Sequence, residues 1–459
     1  MRTKAAVFLM MILFPLTIVF GQEQETDPFF WLEDVNGEKP LAWVTTQNER
    51  TLGELKSDPR YAQIEAEAIS IYTSDQRIPN IYGVEGKWIY NLWKDEDSPR
   101  GIFRRTTRSS YRSSSPEWEI ILDVDRLAKD EDKNWVWGGL NCLPPEESFC
   151  LLSLSDGGKD AKIVREFRMD TRSFVSPDNG GFYLPEAKSR VSWFDENTIF
   201  VATDFGEGSL TESGYPRIVK KWQRGTPLSE TKTVLEGEVS DVSIWSWIDI
   251  DPKRKQTVVL GRSVTFYDYE QSLLLPDGTL RPIPLPSQYR PNGILNGQII
   301  LTLQQDWEYQ GRTWQMGDLV SFDLESQNVR LIYHPTKSQS VRRVRTTRNT
   351  VLVPLLDNVV GKVKRFKRNR RGDWVGEDVT LPGIGSVSVA YSDYRSDEFF
   401  LYFENPTEPD ALYHVSKRNK LEVWKQLPAM YDSSDVVVEQ RWASSKDGTR
   451  IPYFRPVAK

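Results

Sequence analysis

Two histidines and two cysteines are all the imidazole and thiol that the 459 residues carry. That scarcity excludes a good deal. A structural zinc site takes four Cys or His ligands, usually in closely spaced pairs, and the chain has neither a C-x-x-C pair nor H-E-x-x-H. A serine hydrolase needs an imidazole base beside an activated hydroxyl, with a carboxylate to orient it. His334 (LIYHP) and His414 (ALYHVS) both sit among apolar strand residues, where an ordinary polar strand position explains them. The strained G-x-S-x-G turn is missing as well, since GRSVT and GIGSV each break it. There is no Walker loop. The 65 acidic residues are scattered and single out no acid/base pair. We therefore expect no catalytic residue, no metal and no cofactor in this sequence.

Long apolar runs are also missing beyond the start of the chain. After Phe20 none is long enough to span a bilayer. The run over residues 5–20 follows Arg2 and Lys4, is interrupted by Pro15 and Thr17, and has Val19 and Gly21 at the small-residue cleavage positions. It reads as a cleaved secretory signal over residues 1–21 rather than a retained anchor. The expected location is secreted or periplasmic, with no stable membrane span after cleavage. No Cys follows the cleavage site to take a lipid. Cleavage removes two positive charges and takes the net charge from −6 to −8, so no overall field draws nucleic acid. Cys142 and Cys150 flank LPPEESF, a turn between two strands. Two readings stay open, a disulfide in an oxidising compartment or a pair of small buried thiols.

What the chain does have is aromatic and alternating. Sixteen Trp and eighteen Tyr favour strands over helices. One helical region is expected, between Asp34 and Tyr72. Pro40 suits a first turn, and Leu41, Val44, Leu52 and Leu55 recur at helical spacing. Asp58-Pro59 reads as the start of a second helix, with Tyr61, Ile64, Ala68, Ile71 and Tyr72 on one face. From Gln76 short alternating runs take over, as in VSIWSWIDI followed by QTVVLGRSVTF, or SLLLPDGTLRPIPL through Asp277-Gly278. Units of about fifty residues with four strands each repeat about seven times up to Asp432. The expected fold is all-β: a seven-bladed β-propeller of four-stranded antiparallel blades, preceded by a short helical segment. The expected domains are the signal peptide (1–21), the helical segment (22–75), the propeller (76–432) and the first strands of another domain (433–459), which form a hairpin through Asp447-Gly448.

One charge block stands out. Residues 341–371 hold eleven Lys/Arg, with Asp357 as the sole acid. The plain reading is a solvated hairpin. The functional reading makes Arg342, Arg343, Arg345, Lys364, Arg365, Lys367 and Arg368 a patch that steers acidic peptide termini toward one side of the ring. Nucleic acid is disfavoured by export and by the acidic total.

DPFFWLEDVNGEKPLAWVTTQNERT resembles the N-terminal segment of the prolyl oligopeptidase family. YNLWKDEDSPRGIFRRT, EWEIILDVDRLAKDEDKNWVWGG, NCLPPEESFCLLSLSDGGKDAKIVREF and TDFGEGSLTESGYPRIVKKWQRGTPL are similar to the propeller of its secreted bacterial members. YFENPTEPDALYHVS resembles the last blade, and QRWASSKDGTRIPYF the first strand pair of the catalytic domain, from which the final RPVAK departs. The match spans nearly everything from Asp27 to Phe454. The resemblance implies a serine endopeptidase in which a propeller caps an α/β-hydrolase domain carrying the Ser, Asp and His. The propeller limits access to short peptides, which pass through its channel, and the helices pack on the hydrolase. No position in this sequence receives a triad residue, so the chain is expected to be the gating part and inactive alone. The alternative is a free-standing secreted propeller that binds peptides or a protein partner.

Overall fold

The computed structural model describes residues 27–73, 75–251, 255–429 and 432–459. The expected signal peptide lies outside them. The chain divides into two units, residues 1–72 and 73–459.

In the first unit a short 3-10 turn, Phe30–Glu33, leads into α1 (Glu38–Ser57). Trp31 meets Trp43 edge-on at 6.2 Å, and Lys39 lies over the Trp31 ring. Helix α2 spans Tyr61–Thr73. It begins at Tyr61 rather than Pro59, and the Asp58 carboxylate just before it accepts from the Arg60 amide and guanidinium. Leu41, Val44, Leu52, Leu55 and Ile64 are exposed.

The second unit is a ring of seven antiparallel sheets, at residues 83–123, 135–187, 190–236, 243–282, 289–333, 339–378 and 386–426. Sequence position explains each strand's place. Second strands such as Thr198–Ala202 and Gln298–Leu303 are apolar runs buried at every residue, because a neighbouring blade covers both faces. Fourth strands such as Trp374–Asp378 are largely exposed. Each pair of adjacent blades shares an apolar core. Gly261 sits opposite Trp245, and a Cβ there would lie 2.1 Å from the indole, so only glycine lets the ring lie across the neighbouring strand.

Three features depart from the sequence reading. Short helices α3 (Arg108–Arg112) and α4 (Val124–Asp130) flank the last strand of blade 1, so helix is not confined to the start of the chain. Blade 5 carries an inserted hairpin, Trp307–Tyr309 with Arg312–Trp314. The terminal hairpin pairs Val436–Ser444 with Arg450–Ala458, so RPVA continues the strand.

The ring closes between blades 1 and 7 without strand exchange, since blade 7 is built from residues 386–426 alone. Side chains do the joining. Tyr111, Phe400, Leu412 and Trp424 share a core, Arg108 pairs with Glu398, and the Val84 amide donates to the Tyr391 hydroxyl.

In blade 2, Cys142 and Cys150 are direct cross-strand neighbours and are joined as a disulfide with a sequence separation of 8. Closing so short a loop restrains the unfolded chain, so reduction should lower stability by about 2.5 kcal/mol. Urea midpoints with and without reductant test this, and the Cys142→Ser/Cys150→Ser protein should match the reduced one.

Candidate functional site

Four antiparallel strands return the chain to the face from which it set out. All seven innermost strands therefore start on one face of the ring and end on the other. The chain joins blade 1 and leaves blade 7 on the starting face. There a cavity of about 290 Å³ gathers Gln76, the turn after blade 7's second strand (Asn405 to Asp410) and Leu427 to Ala429. The terminal hairpin lies on this face too, with the Gln440 side-chain Nε2 donating to the Asn358 carbonyl.

Apolar loop tips follow the same division. Val239, Phe266, Tyr267, Met316, Val359 and Ile384 are exposed, and each lies in a turn on the starting face. Among the described residues no exposed large apolar side chain occupies a turn on the other face. Phe266 and Tyr267 contact each other edge-on, and the Thr265 hydroxyl fixes their turn by accepting from the Tyr267 and Asp268 amides.

On the face where the innermost strands end, the channel opens into a cavity of about 350 Å³. Its wall comes from blades 4 to 7, with Trp247, Asp249, Asn292, Arg345, Arg348 and Tyr391. A groove of about 860 Å³ shares Asp249, Asn296 and Arg348 with it and runs outward over blades 4 and 5.

Beside this mouth Arg395 of blade 7 pairs with Asp393 at 2.9 Å and with Glu147 of blade 2, and it donates to the Val84 carbonyl of blade 1. Burial pushes the Glu147 carboxyl up, and Arg395 opposes that shift. Burial also holds the His414 imidazole below its usual range.

Among the described residues, the Asp249 side chain, near the end of blade 4's innermost strand, has no hydrogen-bond or ion-pair partner. Burial first and the Asp251 charge second push its carboxyl up to about 6. Folded chain then holds a proton that unfolded chain releases, so this group's contribution falls as pH rises from about 3.8 to about 6. Asp249→Asn should remove that fall and stabilise the protein well above pH 6 by about 3 kcal/mol. Unfolding midpoints at pH 5 and pH 8 measure it; equal gains at both would refute the assignment.

The seven residues of the expected steering patch do not come together. Arg342, Arg343 and Arg345 border the channel on blade 6's innermost strand region, whereas Lys364, Arg365, Lys367 and Arg368 lie on its third strand, Val360–Arg368. Intervening strand Thr350–Asp357 separates the two groups. Lys364 pairs with Asp378, and Arg365, 6% exposed, lies 3.7 Å from Glu377. Sequence reasoning missed Arg395, Glu147 and Asp249. An acid inside the apolar run SIWSWIDI is a signal for the last; the other two meet across three blades and leave none.

Both histidines have carboxylate neighbours. His334 Nδ1 lies 2.6 Å from Asp318, and His414 Nε2 lies 3.7 Å from Glu398. Among the described residues no serine hydroxyl bonds to either ring, so no nucleophile–base pair is formed.

Comparison with known proteins agrees with this architecture. The family model described as the N-terminal β-propeller domain of prolyl oligopeptidase matches residues 17–251 and 310–427. An uncharacterized peptidase of Sinorhizobium fredii is 35% identical, over 95% of this chain and 61% of that protein. One from Rickettsia prowazekii is 27% identical, over 92% and 61%. A post-proline cleaving enzyme from Rickettsia typhi superposes with a TM-score of 0.83 at 25% identity, over 94% of this chain and 64% of that one. The chain thus spans about three fifths of the length of these curated relatives. It belongs to the prolyl oligopeptidase family, and its seven blades are that family's N-terminal propeller.

Proposed function

We propose that the propeller is the substrate-selecting lid of an exported serine peptidase that acts on short peptides, and that residues 22–459 alone hydrolyse none. The observation that carries this is the one-sided distribution of exposed apolar turns. Val239, Phe266, Tyr267, Met316, Val359 and Ile384 share a face with the two places where the chain joins and leaves the ring. Exposed apolar surface gathered on one side marks a contact face. A hydrolase domain resting there would cover it and leave the other mouth of the channel open to solvent. The leader pattern of residues 1–21 and the Cys142–Cys150 bond support export.

Purified chain should give no turnover of a chromogenic proline-containing peptide. Joined to the hydrolase part of the Rickettsia typhi relative, it should confer cleavage of short proline peptides while sparing a folded protein. Turnover by the chain on its own, or equal cleavage of both substrates by the joined protein, would overturn the reading.

A further inference from the structure

Elsewhere in the ring guanidinium groups commonly have carboxylate partners, as in Arg105–Glu119, Arg217–Glu236 and Arg262–Asp241. Five beside the channel do not. Arg290 on blade 5's innermost strand, Arg342, Arg343 and Arg345 along blade 6's, and Arg348 in the turn that follows have side chains with no hydrogen bond and no ion pair among the described residues. Four of them are exposed and Arg345 is half-buried.

Their placement is ordered. Innermost strands of blades 5 and 6 run the same way, and a Cβ on Gly293 would stand 3.3 Å from the Thr346 side chain. Three residues back from those two positions lie Arg290 and Arg343. Residues 342–348 cover on the order of 20 Å of extended chain, and Arg345 and Arg348 line the cavity at the channel mouth. Burial and the charge of Arg343 depress the Arg345 guanidinium below its ordinary value. Like charges held together without structural return mark a site for a charged ligand. The planar guanidinium fork matches a carboxylate.

We propose that this wall binds the carboxylate of a short peptide lying extended in the channel, with Arg343 and Arg345 as its principal contacts. That the ligand is a peptide rests on the lid reading above; that it is an anion rests on the arginines alone. The half of the basic block on blade 6's third strand takes no part.

The test uses residues 22–459 and a proline-containing pentapeptide with an N-terminal rhodamine, followed by fluorescence anisotropy at low ionic strength. The free acid should bind about fivefold more tightly than the C-terminal amide, and added salt should shrink the difference. Arg343→Gln/Arg345→Gln should abolish it, while Lys367→Gln on the third strand should not. An amide carrying an internal Glu separates the two carboxylate sources: tight binding assigns the wall to acidic side chains, weak binding to the chain terminus. Equal affinity of all three peptides, or a difference that survives the double substitution, overturns the proposal. Since binding is read without hydrolysis, failure of the joined enzyme to cleave peptides while this preference persists would refute the lid and leave the wall.

Discussion

Arg224→Ala should lower the stability of the ring by about 3–5 kcal/mol, one of the two largest single-residue effects we expect. Glu166, on blade 2, is fully buried. Arg224, in the turn after blade 3's third strand, reaches it with both terminal nitrogens, at 2.8 and 3.0 Å. The same guanidinium donates to the carbonyls of Gly180 and Glu196, and the Phe182 amide donates to Glu166. One side chain therefore fastens blade 2 to blade 3 and neutralises a carboxylate that water cannot reach. Truncation strands that carboxylate, and the penalty for an unpaired buried charge exceeds the net worth of the pair. Glu166→Gln in the Arg224→Ala background should recover part of the loss, because a neutral amide oxygen still accepts from Phe182. Urea unfolding of the three proteins decides it. A loss below about 1 kcal/mol in the single variant would class the pair with surface bridges.

Such ties explain which parts of the fold were legible in the sequence. Second strands such as QIILTL and TIFVA announce themselves because burial on both faces leaves an unbroken apolar run. Asp277-Gly278 and Asp447-Gly448 mark their hairpins because the Gly takes a positive φ, +87° and +84°. Helix α4 was not legible. Asp123 caps it by accepting from the Arg126 amide, but seven residues between two strands carry too little periodicity to separate helix from loop. The basic block was visible as composition and misleading as geometry. Alternation along one segment cannot tell that an intervening strand will hold Arg345 and Arg365 apart. The arginine wall needs Arg290 as well, fifty-odd residues earlier, and only the packing of blade 5 against blade 6 sets it beside Arg343.

Arg395→Ala should loosen the ring where it is weakest. Propeller blades are held by their neighbours, and the seam between blades 1 and 7 lacks the covalent continuity that every other junction has. Arg395 compensates by engaging Asp393 of its own blade, the Val84 carbonyl of blade 1 and Glu147 of blade 2. The blade 2 end of that bridge is held firm, since Glu147 belongs to the loop closed by Cys142 and Cys150. Removing the guanidinium leaves the Glu147 and Asp393 carboxylates facing each other, with Glu85 also close enough to raise Glu147. We expect a loss of about 3 kcal/mol at pH 8. The sign of its pH dependence follows from burial, which already raises Glu147 in the native protein; without Arg395 the shift grows. A carboxyl raised in the folded state favours folding at low pH and loses that contribution as pH rises. The variant's deficit should therefore be smaller at pH 5 than at pH 8. Hydrogen exchange supplies the local readout: the Val84 amide, which donates to Tyr391 across the seam, should lose protection well before amides of blades 3 to 5. Uniform loss of protection around the ring, or a deficit that grows as pH falls, would show that Arg395 is not the clasp.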